Sequence, residues 1–452
     1  MLAGLARDGG LYVPEVWPRL SHATIAGFLG RPYWEVAVDV IKPFVGGELS
    51  DADLGRMAIE AYATFRHPAV VPVSQINSGQ FLLELFHGPT LAFKDVAMQL
   101  IARMMDHVLT QRRQRTTIVV ATSGDTGGAA VEAFANRNSV DLIVLFPNGR
   151  ISDVQRRMMT TTAAANVHAL AVEGTFDDCQ AIVKGLFNHH AFRDAVSLSG
   201  VNSINWARIV AQVVYYFTSA VALGAPARQV DFTVPTGNFG DIFAGYVAKR
   251  MGLPIRRLKI AANVNDILAR TLATGTYEVR EVHATTSPSM DIQVSSNFER
   301  LLFEAVGRDA SIVRGLMSSL QQSGRFTLQA DALAAARDGF AAGRAHDTET
   351  APAIPPPWRE CGDLIDPHTA VAIAVAERLG ADTGVPNIVL STAHAAKFPD
   401  AVETACGVRP ALPVWLDGLM TRPEQIKVIK NDGAEVERFV RSVSRAAKEP
   451  TT

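Results

Sequence analysis

Residues 117–130 read Thr-Ile-Val-Val-Ala-Thr-Ser-Gly-Asp-Thr-Gly-Gly-Ala-Ala: a β-branched run, a glycine-rich turn and the start of an alanine-rich helix. A strand that passes through such a turn straight into a helix is half of a βαβ unit, which argues for a parallel sheet covered by helices. Comparable apolar runs occur at 116–122 (the run just quoted), 142–147, 167–172, 230–235, 257–262 and 387–391, alternating with amphipathic segments. The fold class is therefore α/β, with open, mostly parallel sheets and helices on both faces. Residues 2–72 are instead largely helix-forming, with turns at Asp8-Gly9-Gly10 and Arg31-Pro32. Three domains are expected: a small helical N-terminal domain at 1–72, an α/β region of two lobes at 73–398, and a C-terminal segment at 399–452. The smaller lobe should lie at about 110–205, and the C-terminal segment should pack on the α/β region and contain an amphipathic helix through Val443.

Some local features are legible. Asp366-Pro367 supplies an N-cap and a first-turn proline for a helix through HTAVAIAVAERL, which Gly380 ends. Residues 346–357, HDTETAPAIPPP, are too proline-rich for regular structure and are expected to form a surface connection or mobile loop. The chain opens as though in the middle of a helix and turn, LAGLARDGGLYVPE, so a short leading segment is expected to be missing.

Composition narrows the function. The chain has 452 residues, is 48% hydrophobic, and carries 43 basic and 45 acidic residues for a net charge of -2, without long charge blocks. No nucleic-acid or membrane partner is expected. Its three cysteines, Cys179, Cys361 and Cys406, are far apart and show no metal-ligand spacing, so no metal is expected. With neither a long apolar run nor a signal-like N-terminus, a cytoplasmic protein is expected.

In parallel sheets ligands bind beyond the carboxyl ends of the strands, so the loops after the apolar runs are the ones to read. Three are unusual: Thr122-Ser123-Gly124-Asp125-Thr126-Gly127-Gly128, Pro235-Thr236-Gly237-Asn238-Phe239-Gly240-Asp241, and Ser391-Thr392-Ala393-His394-Ala395-Ala396-Lys397. The second suits a phosphate: its glycines allow close backbone approach, and the following helix directs free N–H groups at an anion. The first has hydroxyls and amides suited to a carboxylate. Neither matches a dinucleotide or nucleoside-triphosphate fingerprint. A further run, His-Gly-Pro-Thr-Leu-Ala-Phe-Lys-Asp at 87–95, places Lys94 behind a Gly-Pro turn at a helix start. A lysine in partly apolar surroundings has a lowered pKa and can form a Schiff base with an aldehyde. Taken alone, it would more readily read as a solvated helix-start lysine.

In order along the chain, HGPTLAFKD, TSGDTGGA, NSINWARI, PTGNFGD, ANVND, DPHTAV and STAHAAKF resemble the motifs of the threonine synthase family, as does GLARDGGLYVPE near the start. These are fold-type II, tryptophan synthase β-like enzymes dependent on pyridoxal 5'-phosphate, and the resemblance is to their longer bacterial and fungal form. It implies conversion of O-phospho-L-homoserine and water to L-threonine and phosphate by γ-elimination and β-addition of water. It further implies that Lys94 holds the cofactor as a Schiff base and shuttles protons, that Gly237, Asn238, Phe239, Gly240 and Asp241 bind the cofactor phosphate, and that Thr392 meets the pyridine nitrogen. Ser123, Gly124, Asp125 and Thr126 would hold the substrate carboxylate and the ring-hydroxyl region; Asn202, Ser203 and Arg208 would hold the substrate phosphate. His87, His394 and Lys397 read as residues that shape their loops. Ala395 departs from the family's usual proline, and the family's first strand is absent. A monomer or homodimer is expected. Two other readings use the same residues: a threonine or serine dehydratase-like lyase, and a non-catalytic phospholigand-binding relative.

Overall fold

The computed structural model describes residues 1–380 and 384–447; residues 448–452 of the expected C-terminal segment lie outside them. Thirteen strands are present among these residues: β1 (Val73–Gln75), β2 (Gln80–Glu84), β3 (Thr116–Ala121), β4 (Val140–Pro147), β5 (Val167–Glu173), β6 (Leu198–Ser199), β7 (Val230–Pro235), β8 (Ile255–Ala262), β9 (Thr276–Glu278), β10 (Arg325–Thr327), β11 (Phe340–Arg344), β12 (Asn387–Ser391) and β13 (Lys427–Lys430). The larger sheet runs β1-β2-β12-β7-β8-β11 and is parallel except for the β1–β2 pair. The smaller runs β13-β5-β4-β3-β6 and is parallel throughout. β9 and β10 form a separate antiparallel ribbon. The apolar runs that announce parallel strands are mostly buried; β4 and β7 show no exposed residue. Strands covered on both faces need this composition, because each face meets a layer of helices.

The helix Lys94–Gln111 packs against the helices Asp51–Tyr62, Asp125–Phe134 and Trp206–Ala222. Leu100, Ile101 and Met105 are wholly buried on it, each such side chain contributing about 1.5–3 kcal/mol by leaving water. The helices Tyr33–Val45 and Asp51–Tyr62 of the N-terminal region pack on Trp206–Ala222 and Lys94–Gln111 respectively. That region therefore backs the two helices that carry Lys94 and Arg208. The predicted helix after Asp366 spans Pro367–Leu379, with the Asp366 carboxylate accepting from the amides of His368 and Thr369, and Gly380 at its end.

Two features differ from expectation. Residues 346–357 are not an irregular loop: they belong to the short helices Asp347–Thr350 and Pro355–Cys361, joined by a 3-10 turn at Ala351–Ala353. Proline in the first turn of a helix forfeits no hydrogen bond, so Pro352, Pro355 and Pro356 start turns here instead of breaking them. The C-terminal segment contains the helix Gly433–Val443, and it also adds β13 in parallel to β5 at the edge of the smaller sheet.

Candidate active site

A cavity of about 1260 Å³ opens between the lobes, and its walls include Lys94, Ser123, Arg208, Gly237 and Thr392. The turn before Lys94 is braced by its neighbour in sequence. Asp95 accepts from the Thr90 amide at 2.8 Å and the Thr90 hydroxyl at 2.7 Å. Gly88 lies so close that a Cβ there would stand 2.5 Å from the Asp95 side chain. Lys94 thus emerges at a fixed place, 9% exposed, with its Nζ 5.3 Å from the centre of the Phe93 ring. Burial, reinforced by the positive charges of Arg208 and Lys397 and only partly opposed by Asp125, lowers its pKa to about 8.

The first glycine loop divides its residues between two jobs. Ser123 and Thr126 line the cavity. The Thr122 hydroxyl accepts from the amides of Gly124 and Gly127, both at 2.9 Å, which sets the turn into the next helix. Gly124 has φ +130°, and a Cβ there would collide with Gln155, so only glycine suits it. The Asp125 carboxylate faces inward, 3.5 Å from Lys94 Nζ and 2.6 Å from Lys397 Nζ. Burial alone would raise its pKa; the two ammonium groups, with Gln155 donating at 2.9 Å, hold it far below the ordinary carboxylate range.

The second loop is built as an anion cradle. Its carbonyls are tied back from outside: Ser295 Oγ donates to Gly237 O at 2.7 Å, and the Asn297 amide and side chain donate to Asn238 O at 3.1 and 3.0 Å. Phe239 sits at φ 63°, a left-handed conformation uncommon for a side-chain-bearing residue, and its ring packs 5.4 Å from Phe298. No side chain caps the helix that begins at Gly240. The amides of Gly237 to Asp241 have no acceptor among the described residues, so an uncapped helix end and a row of N–H groups are left for an anion. Asp241 turns the other way, accepting from Tyr215 at 2.5 Å and Tyr216 at 3.1 Å; burial pushes its pKa up to about 6. From this residue the loop therefore offers its backbone.

Arg208 and Ser203 adjoin that cradle. Ser203 Cβ lies 3.4 Å from where a Cβ on Gly240 would stand. Arg208, 2% exposed, makes one long bond, Nη1 to Val201 O at 3.4 Å, and its Nε is buried without a hydrogen-bond partner. Burial lowers its pKa to about 10. A buried guanidinium so poorly matched by protein acceptors suits an anionic ligand. Asn202 and Thr392 line the same cavity, and the Thr392 carbonyl accepts from the Phe93 amide at 2.8 Å. An aldehyde-bearing phosphate ester fits this arrangement, with a low-pKa amine, a phosphate cradle and a hydroxyl residue on one cavity.

Several features of the site escaped the sequence reading. Lys397, read only as a residue that shapes its loop, is wholly buried against Asp125. His368 lines the cavity; its Nε2 accepts from the Ser289 amide at 3.2 Å while Nδ1 meets Asp366 at 2.6 Å. Ser289, Ser295 and Asn297 come from a stretch without a motif. His87, paired with Glu84 at 2.6 Å, and His394, whose Nδ1 accepts from the Ala396 amide at 3.1 Å, are outside the cavity wall and shape their loops.

Family models match along the chain: threonine synthase N terminus at residues 1–62, pyridoxal-phosphate dependent enzyme at 74–391, and threonine synthase, C-terminal, at 369–440. A threonine synthase of Pseudomonas aeruginosa is 49% identical over 97% of this chain and 94% of its own length. The crystal structure of PLP-bound threonine synthase from Brucella melitensis is 62% identical, with a TM-score of 0.94 over 98% of this chain and 96% of that one. Threonine synthase from yeast is 39% identical, with a TM-score of 0.91 over 97% of this chain and 94% of that one.

Proposed function

This chain belongs to the threonine synthase family of pyridoxal-phosphate-dependent enzymes, and we propose that it makes L-threonine and phosphate from O-phospho-L-homoserine and water with Lys94 as the central group. It is a lyase of threonine biosynthesis. The observation that carries the site assignment is the placing of a buried, low-pKa lysine and an uncapped phosphate cradle on one cavity.

In this reading Lys94 would hold pyridoxal 5'-phosphate covalently, the amides of Gly237, Asn238, Phe239, Gly240 and Asp241 would hold its phosphate, and Thr392 would meet its ring nitrogen. When bound, the cofactor supplies an aldehyde for the lysine and substrate amines in turn, and a ring that spreads the charge left by departing protons. A hydroxyl at the ring nitrogen offers no anion to a pyridinium and favours the uncharged form. Ser123, Gly124 and Thr126 hold the substrate carboxylate through hydroxyls and amides, while Asp125 faces the ring-hydroxyl region beside Lys94. Asn202, Ser203 and Arg208 hold the substrate phosphate.

Lys94 takes a proton from Cα, passes it on, and then takes one from Cβ as phosphate leaves Cγ. Water adds its hydroxyl at Cβ, protons are delivered to Cγ, which becomes the methyl group, and to Cα, and threonine is released. A pKa near 8 suits an amine that must both accept and give protons near neutrality. Stray water entering the cavity at the wrong stage would divert the reaction to 2-oxobutanoate and ammonia, so water access must be limited during turnover.

We also propose the domain division at 1–72, 73–398 and 399–452, with the smaller lobe at about 110–205. The protein acts on a small molecule. We place it in the cytoplasm as a monomer or homodimer without nucleic-acid or membrane partners; the net charge of -2 supports this, and among the described residues no helix is long and apolar enough to cross a membrane. Borohydride reduction of the yellow holoenzyme followed by peptide mapping tests the site: the cofactor should be recovered on Lys94. A cofactor adduct on another lysine would overturn the assignment.

A further inference from the structure

One carboxylate under the cavity floor is shared by two lysines. Lys397, in the 3-10 turn Ala395–Lys397, is 0% exposed by side chain; its Nζ lies 2.6 Å from Asp125 Oδ1 and donates to Thr90 O at 2.9 Å. The other Asp125 oxygen lies 3.5 Å from Lys94 Nζ and 3.4 Å from Ser289 Oγ. Gln155 Nε2 donates to Oδ1 at 2.9 Å. A lysine is almost never fully buried unless it is paired. Here the pairing sits directly behind the reacting amine, and Lys397 also grips the Thr90 turn that Asp95 braces.

We propose that Lys397 is a positioning residue for Lys94, acting through Asp125: it fixes the carboxylate opposite the Lys94 amine and takes up part of its charge, so that Lys94 exchanges protons instead of staying locked in an ion pair. The charged groups that face Lys94 are Asp125 from the helix Asp125–Phe134, Arg208 from the helix Trp206–Ala222, and Lys397. Those that face Asp125 are the two lysines. Two further cations against one anion, with burial, favour a neutral Lys94. Without Lys397, the whole Asp125 charge would fall to Lys94, whose ammonium form would be held more tightly. The placement has a geometric consequence too. Anchored by Lys397 and Gln155, Asp125 offers Oδ2 at a constant position, giving the mobile end of Lys94 a resting place between successive proton transfers.

The proposal rests on Lys94 as the cofactor lysine, so the test separates the two. The holoenzyme and its Lys397→Met, Asp125→Asn and doubly substituted forms are titrated with pH while the absorption band of the Lys94–cofactor linkage is followed. Lys397→Met should raise the titration midpoint by about one unit, and Asp125→Asn should lower it by at least as much. In the Asp125→Asn background, Lys397→Met should raise it by clearly less, through the direct charge of Lys397 alone. A midpoint unmoved by Lys397→Met, or moved equally in both backgrounds, would overturn the proposal. If Lys397→Met does not fold, a midpoint that Asp125→Asn fails to lower overturns it equally. Borohydride mapping on the unsubstituted holoenzyme reports separately on Lys94: an adduct elsewhere would remove the premise, whereas an adduct on Lys94 with unmoved midpoints would sink the Lys397 role alone.

Discussion

Replacing Arg208 with methionine should move stability and activity in opposite directions. The guanidinium is buried, holds one bond of 3.4 Å, and leaves Nε unpartnered. Methionine keeps most of the aliphatic volume and removes a charge that the protein alone compensates poorly, so the cofactor-free protein should gain about 1–2 kcal/mol. The phosphorylated substrate should lose two charged hydrogen bonds, at about 1.5–3 kcal/mol each. Allowing for partial replacement by water, a loss of about 3–5 kcal/mol corresponds to a fall of roughly two to three and a half orders of magnitude in kcat/KM. The assays are urea denaturation of the cofactor-free protein, absorbance titration with cofactor, and kcat/KM for O-phospho-L-homoserine at saturating cofactor. Lower stability with unchanged kcat/KM would make Arg208 a structural residue. A cofactor affinity that collapses while kcat/KM at saturation survives would assign its fork to the cofactor phosphate instead.

Other outcomes follow from the same geometry. The neutral form of Lys94 attacks the cofactor aldehyde, and its pKa is lowered to about 8; stopped-flow uptake by cofactor-free protein should therefore rise about tenfold per pH unit below 8 and level off above it. A rate still climbing tenfold between pH 8 and 10 would mean an ordinary lysine. At Gly237 an added Cβ would stand 2.9 Å from the Ser289 carbonyl, so Gly237→Ala should displace the cradle and weaken cofactor binding by roughly tenfold; unchanged affinity in a spectral titration would count against that contact. Asn205 caps the Trp206 helix through the Ala207 amide at 3.0 Å and donates to Gly200 O and Met1 O at 2.8 and 2.9 Å. Asn205→Ala should cost about 2–3 kcal/mol in urea denaturation, and a loss under 0.5 kcal/mol would contradict the structure there.

What the sequence revealed and what it hid follow from how local each signal is. β3, β4, β5, β7, β8 and β12 are runs of β-branched or apolar residues, and a parallel strand covered on both faces must look like that. β13, Lys-Val-Ile-Lys, lies on an edge with three of its four residues exposed, so it lacks the pattern. β11, Phe-Ala-Ala-Gly-Arg, is another edge strand and small-residue-rich. The cofactor lysine and the glycine loops were legible because unusual residues cluster at strand ends. Lys397 was visible as a lysine, but its burial against Asp125 depends on two segments 272 residues apart, 397 minus 125. The same holds for Ser295 and Asn297, which donate to the carbonyls of Gly237 and Asn238 from 58 and 59 residues further along the chain.

The most direct measurement of the central claim is to incubate the purified holoenzyme with O-phospho-L-homoserine and assay L-threonine and inorganic phosphate in the same samples, beside the Lys94→Ala form. The account requires the two products in equal amounts from the native protein and neither from the variant. Phosphate accompanied by 2-oxobutanoate and ammonia in place of threonine, or turnover that survives Lys94→Ala, would contradict it.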